Sequence, residues 1–282
     1  MSHQVVQLAN GQWSLRSLDV EETYHPVVGP ESESNVLYAQ QIQLERISPI
    51  STFVVWDVGL GGAANSIAVI NAASQYHGKL KIYSFEHDLE PLNTALSNID
   101  KLPYLISYQD ILTVLLHQRK IQFTKNSIQV DWEIVYGDFP SWLANQKHPS
   151  SDTLQPHAIL YDAFSPKKNP DMYTLDIFRK LYELLNDSAS CILVSYSRAT
   201  LLRVTLLLAG FYVGKGAATG EKEETTIAAN KLDILSNPLN KEWLGRVQRS
   251  NSAEPLHTPE YIQQPLSQNS WEQLLSHPQF SY

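Results

Sequence analysis

The hydrophobic pattern after residue 50 predicts short buried strands that alternate with helices. The run 53–58 is almost entirely apolar, which is typical of a parallel strand covered on both faces. Six further core or edge strands are predicted. The predicted strands after the first are 81–86, 133–136, 158–162, 191–196, 211–215 and 224–230, and the helices are 65–74, 91–99, 110–118, 172–185 and 199–209. This alternation predicts an open α/β sheet.

Two details refine the predicted sheet and its flanks. The stretch 121–136 alternates around 125–127, which predicts a hairpin that leads into the third core strand. A short loop joins the last two strands, so we expect an antiparallel pair at one edge. Before the sheet, 12–18 is predicted as a short strand or hairpin arm, and a helix is predicted from near Glu33 to a point before Pro49. The predicted domains are an N-terminal segment (1–50), a sheet domain (51–230) and an appendage (231–282).

Composition and charge exclude several classes of protein. The chain has 282 residues, of which 43% are hydrophobic and 18% charged, so it has ample material for a core. The formal net charge of -8 argues against non-specific nucleic-acid binding. One cysteine, Cys191, and scattered histidines predict neither disulfide nor metal site. Because neither a membrane-spanning run nor a secretory signal is visible, we expect a cytoplasmic protein without membrane contact.

Glycine is scarce in the chain but concentrated after the first core strand. Only 12 glycines occur, yet Gly59, Gly61 and Gly62 fall within four positions. The cluster ends a strand and opens a helix, where glycine lets the backbone approach a ligand closely. An ordinary tight turn explains the density of glycine less well than a cofactor site does.

Two cofactors compete for this site. The letters G-L-G-G-A-A satisfy a dinucleotide-binding pattern, which by itself is weak evidence for NAD. Three carboxylates favour S-adenosyl-L-methionine. Asp57 precedes the glycines and suits a ligand ammonium group, Glu86 suits ribose hydroxyls, and Asp138 suits an adenine amino group. Each acid alone could be a helix cap, but the three follow successive strands and are better explained by one ligand at the carboxyl edge.

The segment 161–174, YDAFSPKKNPDMYT, is the most informative stretch of the sequence. Asp162 ends a buried strand at the same edge as the other acids, and Phe164 follows it. A carboxylate beside an aromatic ring suits the orientation of an amine, because the carboxylate accepts N–H bonds while the ring excludes water. An alkyl ammonium ion has a pKa near ~10.4 and must lose a proton before it attacks a methyl group. Asp162 is therefore a candidate catalytic base.

These residues carry a resemblance to the methyltransferase domain of the MnmC family. Residues 162–174 match the family pattern D-[GA]-F-[SA]-P-x-K-N-P-[DE]-M-[WY]-T throughout, and 209–211 resemble its late Ala-Gly-Phe. Residues 22–25 and 31–34 resemble the N-terminal segment that borders the family's active site. The resemblance implies a Rossmann-like class I fold, S-adenosyl-L-methionine as cofactor and methylation of 5-aminomethyl-2-thiouridine at the tRNA wobble position. We expect no attached FAD-dependent oxidase domain, so the resemblance is to the stand-alone form.

The resemblance also implies roles for individual residues. The cofactor-binding residues are then Asp57, Gly59, Gly61, Glu86 and Asp138, and the acceptor pocket is formed by Asp162, Phe164 and Tyr24.

Two alternative functions remain open because the closing hairpin departs from the family. The family's Lys-Arg-Glu appears as Lys222-Glu223-Glu224, which removes a cation from a hairpin that could approach tRNA. A small-amine transferase resembling spermidine synthase is one alternative, with acids supplied by Glu22, Glu31 and Glu33. A non-catalytic protein with this fold is the other. An acidic closed pocket favours the polyamine, whereas RNA is favoured by a basic rim of Lys167, Lys168, Arg198, Arg203 and Lys215.

Overall fold

The computed structural model describes residues 2–49, 51–146, 155–185, 188–218 and 223–281. Within these ranges the strands are β1 (His3–Gln7), β2 (Trp13–Ser17), β3 (Thr52–Val58), β4 (Gly78–Glu86), β5 (Lys120–Lys125), β6 (Ile128–Tyr136), β7 (Ala158–Tyr161), β8 (Ile192–Ser195), β9 (Tyr212–Gly216) and β10 (Thr225–Ala229). The α-helices are α1 (Pro30–Ser34), α2 (Ala64–Ala73), α3 (Glu90–Leu96), α4 (Gln109–Gln118), α5 (Phe139–Ala144), α6 (Leu175–Glu183), α7 (Thr200–Ala209), α8 (Lys241–Gln248) and α9 (Gln268–Leu275). Over the described ranges, no helix has the length and apolar character that crossing a bilayer requires.

A mixed sheet forms the centre of the fold, with strand order β5-β6-β4-β3-β7-β8-β10-β9. The strands β6, β4, β3, β7 and β8 are parallel to one another. Strand β5 pairs antiparallel with β6, and β10 lies antiparallel between β8 and β9. The predicted open, mostly parallel sheet with an antiparallel edge is confirmed, and so is the predicted hairpin.

Apolar side chains cover both faces of the sheet. Along β3, Trp56 and Val58 pack into one hydrophobic cluster, while Phe53 and Val55 pack into the other. Successive side chains of a strand point to opposite faces, so a strand buried on both sides must be apolar throughout. This explains why Phe53–Val58 contains a single polar residue, Asp57.

The register of the parallel strands brings their carboxyl ends together. Val58 of β3 lies opposite Phe85 of β4 and Tyr161 of β7. The residues that follow these three strands therefore meet at one edge, where α/β sheets bind their ligands. The next strand, β6, ends at Tyr136, which lies opposite Glu86.

The N-terminal segment differs from the sequence prediction in two ways. Strand β1, which was not predicted, pairs with the predicted arm β2. The helix predicted from near Glu33 to before Pro49 is wrong as one element: α1 begins at Pro30, a π-helical turn follows at Asn35–Ala39, and a 3-10 turn occupies Leu44–Arg46. Gln43 has φ +54°, and this left-handed residue interrupts a continuous α-helix.

The segment after residue 230 packs on the sheet domain. Trp243 of α8, Leu274 of α9 and Phe280 belong to the hydrophobic cluster on one face of the sheet. The side-chain amide of Gln279 donates to the carbonyls of Val213 (2.7 Å) and Leu239 (2.8 Å). The domain boundaries themselves stay a prediction.

Candidate active site

A cavity of about 790 Å³ lies at the carboxyl edge of the parallel strands. Seven of the eight sequence-predicted site residues line it within the described part of the chain. These residues are Tyr24, Gly59, Gly61, Glu86, Asp138, Asp162 and Phe164. Asp57 does not lie on the cavity wall.

The turn after β3 needs glycine at two positions that line the cavity. Gly59 has φ +100°, and a Cβ there would lie 2.9 Å from the backbone oxygen of Asp162. Gly61 has φ +51°, and a Cβ there would lie 2.9 Å from Cε1 of Tyr24. Both the backbone angle and the space exclude a side chain. The turn thus brings the chain close to the strand-end residues and leaves room in the cavity.

Glu86 fixes the same turn from the end of β4. One of its carboxylate oxygens accepts the Gly61 N–H at 3.1 Å. The other accepts the backbone N–H groups of His87 at 2.9 Å and Asp88 at 3.1 Å. The side chain is 10% exposed. Glu86 is therefore a rigidly held carboxylate on the wall of the cavity.

Asp138 lies on the cavity wall and also caps a helix. Its side chain accepts the Ser141 N–H at 2.8 Å, which places it at the N-cap of α5. The sequence offered the cap and the ligand contact as alternatives, and the two are geometrically compatible.

Asp57 is a buried carboxylate behind the cavity. One of its oxygens accepts hydrogen bonds from Ser66 (2.6 Å) and Ser84 (2.9 Å), while Oδ1 has no partner among the described residues. Burial raises the pKa of Asp57 to about 7, although the two serine hydroxyls oppose this shift. The bonded oxygen is engaged by α2 and β4, and Oδ1 is unpartnered within the described chain, so the contact with a ligand ammonium group stays a prediction.

Asp162 is held by two donors at the end of β7. The hydroxyl of Tyr38 donates to one oxygen at 2.5 Å, and the side-chain amide of Asn65 donates to the other at 2.7 Å. Burial raises the pKa of Asp162, against the opposing effects of His25, Tyr38 and Asn65. The sequence did not assign these three residues a role beside Asp162, because their contacts join chain segments far apart in sequence.

Aromatic side chains and the N-terminal segment complete the wall beside Asp162. The rings of Tyr24 and Phe164 meet edge to face, with centroids 5.1 Å apart. Glu22 accepts hydrogen bonds from the backbone N–H (3.1 Å) and the hydroxyl of Ser165, which ties the N-terminal segment to the loop after β7. Burial, more than the nearby carboxylates, raises the pKa of Tyr24, so its hydroxyl stays protonated.

The cavity is acidic. Of the five cations named as a basic rim that favours RNA, only Lys168 lines it within the described part of the chain. Nine carboxylates but two Lys or Arg side chains, Arg16 and Lys168, line the cavity in the described ranges. Lys168 lies 3.4 Å from Glu21. Arg203 is fully buried and bonds Glu224 at 2.7 Å, so it cannot belong to a rim. Lys215 also pairs with Glu224. The hairpin residue Lys222 lies outside the described residues.

A small polar cluster lies at the edge of the cavity, and the spacing of its residues in the sequence did not predict it. His3, Asp88 and Glu90 place potential ligand atoms within 4.8 Å of one another. The Ser2 backbone N–H donates to Glu90 at 2.9 Å, and the Ser2 hydroxyl bonds the same carboxylate. These contacts give Glu90 hydrogen-bond partners without an ion.

The fold and this site define a Rossmann-like class I S-adenosyl-L-methionine-dependent methyltransferase architecture. A family described as S-adenosyl-L-methionine-dependent methyltransferase matches residues 105–231. The chain resembles the methyltransferase part of MnmC proteins. The tRNA 5-methylaminomethyl-2-thiouridine biosynthesis bifunctional protein MnmC of Aeromonas hydrophila is 28% identical over 231 residues, 76% of this chain and 33% of that protein. The same-named protein of Leptospira interrogans is 25% identical over 207 residues, 70% of this chain and 30% of that protein.

Other similarities extend over most of the chain. An uncharacterized protein of Methanocaldococcus jannaschii is 25% identical over 85% of this chain and 63% of its own length. The crystal structure of MnmC2 from Aquifex aeolicus has a TM-score of 0.69 and 24% identity, and the match covers 97% of this chain and 84% of that one. A spermidine synthase in complex with a transition-state analogue has a TM-score of 0.53 and 11% identity, over 96% and 83% of the two chains. The matched region spans about a third of the MnmC relatives' length.

The cofactor is S-adenosyl-L-methionine, and the residues present fit it. The glycine turn leaves open space that side chains at Gly59 or Gly61 would disturb. The fixed carboxylates of Glu86 and Asp138 lie on the wall of the same cavity. Carboxylates accept hydrogen bonds from hydroxyl and amino groups, which suits a ribose and an adenine.

Proposed function

We propose that the protein transfers a methyl group from S-adenosyl-L-methionine to a primary amine, that of 5-aminomethyl-2-thiouridine at the tRNA wobble position. The position of Asp162 carries this proposal. Its carboxylate ends β7, faces the cavity and is held on both oxygens by Tyr38 and Asn65. The MnmC relatives are named for the biosynthesis of tRNA 5-methylaminomethyl-2-thiouridine, which supports this substrate.

The glycine turn and two acids hold the cofactor in this proposal. Glu86 accepts hydrogen bonds from the ribose hydroxyls, and Asp138 accepts one from the adenine amino group. The close approach at Gly59 and Gly61 lets the backbone contact the ligand. Asp57 supports the turn from behind through Ser66 and Ser84, and its Oδ1, unpartnered over the described ranges, is the atom available to the ligand's ammonium group. When bound, the cofactor supplies a methyl group on a positively charged sulfur.

Asp162 orients the amine and takes its proton. The substrate arrives as an ammonium ion, which a carboxylate attracts, and its nitrogen has a lone pair for attack only after one N–H bond breaks. Because burial raises the pKa of Asp162, its carboxylate is a stronger base than an exposed aspartate. Tyr38 and Asn65 fix the carboxylate so that the amine is held in one orientation, and such alignment is a large part of catalysis.

Tyr24 and Phe164 form the apolar part of the acceptor pocket. Their edge-to-face contact places two rings on the wall that Asp162 also lines. Apolar walls exclude water from the ammonium group and disfavour its charged form, which assists the loss of the proton. The rings therefore lower the energy needed to prepare the nucleophile.

One observation favours a second candidate, a small-amine transferase resembling spermidine synthase. The cavity wall is strongly acidic, which suits a ligand with several ammonium groups. Several of these acids are already engaged, however. Glu33 accepts three backbone N–H groups, those of Val27, Val28 and Gly29, and Glu22 is bonded to Ser165. Held in this way, both carboxylates stabilise the N-terminal segment, and fewer acids remain for a polyamine.

A panel of acceptors tests the proposal. The purified protein receives cofactor labelled on the methyl group and, in separate reactions, tRNA with 5-aminomethyl-2-thiouridine, the same tRNA with unsubstituted 2-thiouridine, putrescine and spermidine. We expect label in the aminomethyl tRNA and background label in its matched control. Label that enters the polyamines alone supports a small amine as the acceptor, and label in no acceptor refutes methyl transfer to either class of amine.

A further inference from the structure

His25 lies on the cavity wall beside Asp162. Its side chain is 10% exposed, and its Nε2 lies 3.9 Å from Oδ2 of Asp162. The backbone of His25 has φ +43°, in the left-handed region that residues other than glycine seldom adopt. Residues held in such conformations concentrate at functional sites. The fold thus holds an imidazole next to the proposed base.

The other titratable groups around Asp162 are less suited to pass a proton to the solvent in the cavity. Asp57, although burial raises its pKa, is fully buried behind the cavity wall. The titratable side chains that face Asp162 from all packed elements are Tyr24, His25, Glu33, Tyr38, Asp57, Tyr173 and Tyr196. Burial raises the pKa of each of these tyrosines, so they keep their protons. Glu33 is bonded to three backbone amides, and Asp57 is bonded to two serines. Histidine, by contrast, is the side chain that exchanges protons near neutral pH.

We infer that His25 is a positioning residue that relays the amine's proton from Asp162 to the solvent in the cavity. The inference rests on the proposed function. One N–H bond of the ammonium group breaks and its proton passes to the Asp162 carboxylate. The proton then moves to Nε2 of His25, and the imidazolium ion releases a proton to water, which restores Asp162 for the next turnover. The gap of 3.9 Å exceeds a direct hydrogen bond, and such contacts commonly tighten when substrate binds.

The pH dependence of single-turnover methyl transfer tests the relay. With His25→Gln we expect a loss of about 10- to 100-fold near neutral pH, at the lower end of what acid–base assistance contributes. The loss shrinks as pH rises, because the amine then loses its proton to solvent. Added imidazole partly restores His25→Ala. The matched control is His117→Gln, an exposed histidine in the last turn of α4, which keeps the wild-type profile.

A second measurement needs no turnover. It observes the contact between His25 and Asp162 directly. In the cofactor-free protein, nuclear magnetic resonance follows the titration of the Asp162 carboxyl group. Because His25 lowers the pKa of Asp162, this titration moves to higher pH in His25→Ala. If the wild type methylates an amine, the relay is overturned when both His25 variants show wild-type rates and an unchanged pH profile, and imidazole has no effect on them.

If the wild type methylates no amine, the proposed function fails. In that case an Asp162 titration that does not move in His25→Ala also overturns the electrostatic contact between His25 and Asp162.

Discussion

Replacing Asp162 by asparagine separates a catalytic role from a structural one. The carboxylate accepts hydrogen bonds from Tyr38 and Asn65, one on each oxygen. The amide keeps one acceptor oxygen, and the Tyr38 hydroxyl can turn to accept instead of donating, so the expected loss of stability is about 1 kcal/mol. Loss of the base costs about 10²–10⁴-fold in rate, or roughly 3–5 kcal/mol in activation free energy. Turnover therefore falls far more than stability does.

Three measurements on Asp162→Asn check this difference. Single-turnover methyl transfer to aminomethyl tRNA gives the rate, titration calorimetry with S-adenosylhomocysteine gives the cofactor affinity, and thermal unfolding gives the stability. We expect a slow variant that needs higher pH and binds the cofactor with nearly unchanged affinity. The control is Asp176→Asn, whose side chain is 83% exposed on α6, and it behaves as wild type. A wild-type rate for Asp162→Asn refutes the reasoning, and joint loss of stability and cofactor binding assigns the residue a structural role.

Three further predictions concern the support of the site. In the cofactor-free protein, burial raises the pKa of Asp57 from 3.8 to about 7, so the unfolding free energy falls as pH rises between these values. Asp57→Asn removes this fall, which is about 4 kcal/mol at most, as denaturant titrations across pH will show. Gly59→Ala weakens S-adenosylhomocysteine binding in calorimetry, because the new Cβ lies 2.9 Å from a backbone oxygen at the end of β7. Glu224→Ala leaves buried Arg203 without its charged partner and lowers the unfolding free energy by about 3 kcal/mol, whereas exposed Glu223→Ala does not.

A specific result would contradict each of these three predictions. Parallel pH–stability curves for Asp57→Asn and wild type would mean that the Asp57 carboxylate is not desolvated. Normal cofactor affinity in Gly59→Ala would place the ligand away from the turn. Equal stability of the two glutamate variants would mean that water or another group replaces Glu224 beside Arg203.

Local sequence pattern predicted the sheet because both of its faces are buried. The run Phe53–Val58 packs into two hydrophobic clusters, and such strands are recognisable without partners. Strand β1 was missed because its side chains are mostly exposed or half-buried and carry weak alternation. The helix expected from near Glu33 does not continue towards Pro49, because the chain changes to a π-helical turn at Asn35–Ala39 and Gln43 takes a left-handed backbone conformation. No glycine in the sequence marks that left-handed position.

The sequence predicted those site residues whose position depends only on the ends of the parallel strands. Glu86, Asp138 and Asp162 lie at the carboxyl ends of three parallel strands of one sheet, so their convergence follows from topology. The contacts that hold Asp162 could not be predicted, because Tyr38 lies 124 residues away in sequence and Asn65 lies 97 residues away. Whether the five candidate cations form a basic rim could not be predicted either, for a related reason. Arg203 is buried against Glu224, and a charge pattern alone does not distinguish a buried cation from a solvated one.

The nucleoside composition of the tRNA after one turnover tests the central claim most directly. Aminomethyl tRNA is incubated with a slight excess of protein and cofactor. The tRNA is then digested, and the masses of its nucleosides are measured by mass spectrometry. We predict that 5-aminomethyl-2-thiouridine is replaced by the nucleoside that carries one additional methyl group on the exocyclic amine, and that Asp162→Asn slows the replacement. An unchanged aminomethyl nucleoside, in a preparation that binds S-adenosylhomocysteine, contradicts the account.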